Sequence, residues 1–299
     1  MELNENAQID TEQVRDVGSS RGGGGMRGIP IPMGKGGGVI GLIVLALLVV
    51  GGLVGGSTLL GDDFGSGGET SLECGVNNPD RFNNVKCRNA LYVNSIQNYW
   101  QTALPQSFAK PYEASDTVFF DQAVNTGCGQ ADSGVGPFYC PEDNLIYIDV
   151  TFWNELSSRF GATGEFAQPY VLAHEYGHHV QDVLGTEAEV RRAIQRDPAN
   201  ANRYSVLLEL QADCYAGVWT KHAASTTDAS GQPLFTSITQ QDINEALAAA
   251  AAVGDDAIQK KMGGGVDESK FTHGSSAQRQ QWFTRGYSTG DPKSCNTFA

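Results

Sequence analysis

The sequence predicts an α+β fold, mainly helical with a small sheet, preceded by one transmembrane helix. Three observations carry this reading. A run without a charged residue extends from Gly36 to Gly61. Residues 117–150 are rich in turns and β-formers. After them, apolar residues recur at helical spacing between recognisable start and stop signals.

The first 37 residues are polar and glycine-rich, with Gly22 to Gly25 in a row, and read as a disordered cytoplasmic tail, 1–37. Val39 to Leu60 is almost entirely Val, Leu, Ile, Ala and Gly. About 20 such residues in a helix cross a bilayer core, so 38–60 is expected to span. Gly51 and Gly55 offer a close-packing spacing within it. Arg21, Arg27 and Lys35 precede the run, and Asp62, Asp63, Glu69 and Glu73 follow it. This charge asymmetry predicts a single-pass protein of the cell membrane, its N-terminus cytoplasmic and its catalytic domain extracytoplasmic. Residues 61–71 read as a flexible linker and 72–299 as one domain.

Within that domain, Arg88–Leu104 has helical periodicity and is expected to stop before Pro105. Leu145–Val150 alternates as a strand does. It is either an edge to which an extended peptide adds or a strand with both faces in the core. Helices are expected from Pro169 to Leu184, ended by Gly185, from Asn202 to Ala224, from Gln240 to Val253, and from Ser275 to Gly286.

The chain has 299 residues, 40% of them apolar, enough for a packed core. Its 34 acidic against 20 basic residues, net −14, argue against a nucleic-acid partner, because phosphate binding needs a concentrated cationic surface. All six cysteines follow residue 73, on the side of the expected span where disulfides persist. Pairing neighbours gives Cys74–Cys87, Cys128–Cys140 and Cys214–Cys295, one of several pairings that six cysteines allow.

The chemistry concentrates in His174-Glu175-Tyr176-Gly177-His178. On a helix, positions i and i+4 share a face, so both imidazoles can approach one cation. Glu175 stands beside them as the group that takes a proton from an activated water. Five histidines and fifteen glutamates in this chain yield such a pattern by chance only roughly 0.004 times. A catalytic zinc ion, Zn2+, needs a third protein ligand and an open position. One known arrangement uses a histidine six residues after the second, with a glycine between. Leu184 and Gln181 occupy those places, which excludes it. Glu209 and Asp213 instead form an acidic pair within an otherwise apolar helical segment, costly to bury without a cation or donor. Glu209 as ligand, with Asp213 accepting from the outer nitrogen of a ligand histidine, resolves both charges.

His174-Glu-Tyr-Gly-His-His-Val-Gln181 followed by Glu209-Leu-Gln-Ala-Asp-Cys-Tyr-Ala-Gly-Val-Trp219 resembles the bacterial putative neutral zinc metallopeptidase family. Gly136-Pro-Phe-Tyr-Cys-Pro141, leading into Tyr147-Ile-Asp149, and His273-Gly-Ser-Ser-Ala-Gln-Arg279 are similar to further blocks of it, in the same order. The resemblance implies a membrane-anchored, zincin-like domain with His174, His178 and Glu209 as ligands, Glu175 as base, and a peptide or protein substrate. A non-catalytic, zinc-stabilised module that binds envelope partners is the alternative from a different class.

His273 precedes the expected helix cap Ser275 in a glycine-containing turn. It is a candidate donor to the charge that develops on a substrate carbonyl oxygen; Tyr204 and Tyr215 are competing donors. His179 points about 100° from its neighbour and is expected to pack rather than ligate. His222 lies late on its helix, where an imidazole complements the helix dipole.

Overall fold

The computed structural model describes residues 1–18 and 73–299. The chain begins with strands β1 (Glu2–Leu3) and β2 (Val14–Gly18), followed beyond residue 73 by helix α1 (Val85–Phe108). Strands β3 (Thr117–Phe120), β4 (Ala123–Thr126), β5 (Gly129–Asp132), β6 (Phe138–Cys140) and β7 (Leu145–Asp149) come next. Helices α2 (Phe152–Ser158), α3 (Ala167–Leu184), α4 (Thr186–Arg196) and α5 (Ala201–His222) lead to strand β8 (Phe235–Ser237). Helices α6 (Gln240–Ala252), α7 (Asp255–Lys261) and α8 (Ser276–Thr289) complete the chain.

The expected fold class needs correction at its N-terminal end. The described residues are mostly helical with small sheets, and no helix among them is long and apolar enough to cross a membrane. The segments assigned as span (38–60) and linker (61–71), and residues 19–37 of the tail, lie outside the described residues. Residues 1–18, read as the start of a disordered tail, are folded onto the domain. β1 pairs antiparallel with β8, and β2 pairs in parallel with β3. Ala7 and Val14 are buried. The buried Arg81 guanidinium donates to the carbonyls of Asn4 (3.3 Å), Glu5 (2.7 Å) and Cys74 (3.2 Å). These are long-range partners, and the glycine-rich composition of 20–37 gives no sign of them.

The main sheet has the order β2-β3-β7-β6, with only β6 antiparallel to its neighbour. β7 is therefore interior and all five of its residues are buried. Ile146 and Ile148 face the helices; Leu145 and Tyr147 face a second apolar cluster with Val124 and Ala131 of the β4–β5 hairpin. An interior strand cannot receive a peptide along its edge, which corrects the edge reading of Leu145–Val150.

Helix α1 runs on through Pro105 to a left-handed cap at Ala109; the proline gives up one backbone bond, in a helix whose preceding turns are held in the core. α8 likewise passes through Gly286 and ends at Gly290. Gly286 marks a helix crossing: a Cβ there would lie 1.9 Å from the Cys214 carbonyl oxygen on α5. All three neighbour-paired disulfides are present, Cys74–Cys87, Cys128–Cys140 and Cys214–Cys295, with no free cysteine.

Candidate metal centre

Two helices build the site. α3 carries His174, Glu175 and His178; α5 carries Glu209 and Asp213. They approach closely because position 177 has no side chain: a Cβ on Gly177 would stand 2.9 Å from the Cα of Ala212. That contact brings Glu209 over the two imidazoles. His174 Nε2 lies 3.2 Å from Glu209 Oε2 and 3.2 Å from His178 Nε2, and His178 Nε2 lies 3.4 Å from Glu209 Oε1. A tetrahedral ion about 2.1 Å from each ligand requires ligand atoms about 3.4 Å apart. The donor set and its spacing therefore fit a metal of zinc's size and chemistry. Ligand atoms of the three residues lie within 4.8 Å of one another, and no other such group occurs among the described residues.

Around these atoms the polar groups are matched in pairs. Asp213, wholly buried, accepts from His174 Nδ1 (2.9 Å), the Tyr170 hydroxyl (2.6 Å), and Arg279 Nε (2.8 Å) and Nη2 (3.0 Å). Burial alone would raise this carboxyl; Arg279 and then His174 outweigh it and hold it at about 2. Burial also opposes charge on His174, but the Asp213 charge and the hydrogen bonds the ring donates to Asp213 and Glu209 raise the imidazole to about 10. Glu209 is held well below the carboxylate range against burial, by His273 and His178. Protons and a cation thus compete for one set of lone pairs. His178 has its other nitrogen 2.9 Å from Gln181 Oε1, and Gln181 in turn donates to the Leu208 carbonyl at 2.7 Å.

Glu175 has a different environment. Its Oε2 accepts from the Tyr139 amide of β6 at 3.1 Å, and burial raises its carboxyl above the ordinary range. His273 lines the same cleft as the triad and Glu175. Its Nδ1 lies 3.1 Å from Asp255 Oδ1, so Nε2 is the nitrogen left for the cleft. Asp255 Oδ2 accepts from the amides of Thr272 (2.8 Å), His273 (2.7 Å) and Gly274 (3.0 Å).

The remaining candidates are elsewhere. Tyr215 packs edge-on against Trp100, and both it and Tyr204 line a different surface depression, so neither serves the cleft. His179 is buried, 2.6 Å from the Glu113 carbonyl, and burial lowers its basicity. His222 meets the Gly290 carbonyl and stacks on Tyr99. Three groups at the site have no assigned role in the sequence reading: Arg279, Asp255 and Tyr170. Arg279 ends the block His273–Arg279 that carries part of the resemblance; for the other two no local signal exists.

The family model described as "Putative neutral zinc metallopeptidase" matches residues 3–298. The uncharacterized protein Rv2575 of Mycobacterium tuberculosis (strain H37Rv) is 46% identical over 217 residues, which cover 72% of this chain and 71% of the relative. The uncharacterized protein YpfJ of Escherichia coli (strain K12) is 38% identical over 292 residues, 97% and 96% of the two chains. No solved structure matches. The family match spans both the folded N-terminal segment and the His174–His178–Glu209 cluster, and this chain belongs to the putative neutral zinc metallopeptidase family.

Proposed function

We propose that this protein is a zinc-dependent peptidase that hydrolyses peptide bonds with Glu175 as general base. The supporting observation is the convergence of His174, His178 and Glu209 at the separations a tetrahedral ion requires, with a buried carboxylate beside them. A zinc ion held by those three residues would supply Lewis acidity toward water and the substrate carbonyl. The chain's own groups do the rest. Tyr139 fixes one Glu175 oxygen, leaving Oε1 to take the proton of the attacking water. As the water oxygen bonds to the carbonyl carbon and the C–N bond breaks, Glu175 passes that proton to the leaving amine. His273, its Nδ1–H held by Asp255, donates from Nε2 in its doubly protonated form to the oxygen on which negative charge develops. Asp213 and Arg279 keep His174 aligned and do not touch the reacting atoms.

The three disulfides support an oxidising, extracytoplasmic location for the catalytic domain. The ladder that residues 1–18 share with it favours the same side for them, against the cytoplasmic N-terminus expected from the charge asymmetry.

The test is zinc stoichiometry of the full chain together with cleavage of a mixed peptide library. One zinc per chain and cleavage that vanishes in Glu175→Gln, with zinc retained, is the expected result. Zinc binding without cleavage of any peptide would favour the non-catalytic module instead.

A further inference from the structure

We propose that the cleft selects a large apolar side chain of the substrate, seated against Phe160, Val171, Val253 and Ile258, so that cleavage occurs beside Phe, Leu, Ile or Met. This rests on the peptidase reading above and adds the substrate class to it.

The four wall residues come from separate segments: Phe160 follows α2, Val171 is on α3, Val253 caps α6, and Ile258 is on α7. All four line the cleft that contains the triad. Val171 stands three residues before His174 and so shares its face of the helix. The Val253 carbonyl accepts from Arg279 Nη1 at 3.3 Å, which ties the wall to the group that holds Asp213. An apolar surface is thus continuous with the position where a bond would be cut.

Size and charge narrow the occupant. The whole cleft, the metal-site residues included, holds about 180 Å³. One benzene fills a dry cavity of about 150 Å³, so the cleft admits at most one side chain of phenyl or branched aliphatic size. None of the four wall residues can pair with a charge, and an ion placed on them would lose hydration without compensation. Of the other charged lining residues, Glu187 and Arg191 are engaged with each other at 3.0 Å on α4. A net charge of −14 further disfavours an acidic side chain.

The experiment maps cleavage sites of the zinc-loaded full chain on a mixed peptide library by mass spectrometry. Phe, Leu, Ile or Met is expected at one position next to the cut bond, favoured roughly 10-fold or more over Ala, Asp and Lys. Val253→Phe should shift that preference to Ala and Val; if it fails to fold, Val253→Ala should relax selection at the same position toward Trp. Cleavage without apolar preference would overturn the pocket and leave the peptidase reading intact. A second arm needs no turnover: Glu175→Gln should bind Ala-Ala-Phe-Ala at least about 10-fold more tightly than Ala-Ala-Glu-Ala. Equal affinities overturn the proposal even if nothing is cleaved. Selective binding without wild-type cleavage would uphold the pocket and remove the peptidase.

Discussion

Asp255 grips His273 with both carboxylate oxygens: one accepts the His273 amide at 2.7 Å, the other meets Nδ1 of its imidazole at 3.1 Å. Backbone and side chain of one residue are thereby fixed by a single partner. His273→Ala is expected to keep zinc and thermal stability while kcat falls on the order of 100-fold with little change in KM. Asp255→Asn should retain the turn and lose part of that kcat, about 10-fold, because Nδ1–H loses the carboxylate that orients the ring. Steady-state kinetics with parallel metal analysis decide the matter; unchanged kcat in both variants removes the pair from the mechanism.

Glu209 and Asp213 occupy neighbouring turns of α5 and contact His174 from opposite nitrogens. Glu209→Ala should abolish most of the zinc affinity, whereas Asp213→Ala should weaken it about 10–100-fold. Competition against a chromogenic chelator measures both. Equal zinc affinity for wild type and Glu209→Ala would mean the third ligand has been misassigned.

Gly177 permits the approach of α3 to α5. Gly177→Ala places a methyl group 2.9 Å from the Ala212 Cα, and the helices must move apart. The expected cost is about 1–3 kcal/mol of stability, as for other overpacked cores, with a parallel loss of zinc affinity. Calorimetry and chelator competition on the same preparation test it; lost stability with normal zinc affinity would uncouple the crossing from the site.

Acid stability should follow Asp213. Its carboxyl is depressed from 3.8 to about 2, so its contribution is present above pH 3.8 and is lost as pH falls through 2. In protein stripped of metal with a chelator, this group supplies on the order of 2 kcal/mol at neutral pH. Urea melts of wild type and Asp213→Asn at pH 6, 4 and 2.5 should converge toward the acid end. Parallel curves at all three values would contradict the assignment.

The parts of this molecule legible in sequence are those whose partners lie within a few turns. His174, Glu175 and His178 announce themselves because helical spacing alone brings the imidazoles together. Glu209 and Asp213 are conspicuous as charges in an apolar segment. Asp255 is not, since Asp255-Asp256 at a helix start looks like ordinary N-terminal charge and its partners are amides 17 to 19 residues away. The 1–18 segment is the larger miss. Val14-Arg-Asp-Val-Gly18 has no strong strand pattern, and its place in the sheet depends wholly on β3.

The pairing of β2 with β3 also sets an order of events during synthesis. Arg15 and its partner Asp116 are 101 residues apart. At about 5–20 residues per second, the first strand made must wait roughly 5–20 s before its neighbour leaves the ribosome. Closing so long a loop is slow for a parallel pair, so the main sheet is completed late although it contains the oldest part of the chain. During that interval β2 has no partner, and a chain that loses its first residues leaves the β3 edge permanently unpaired in encounters with other copies.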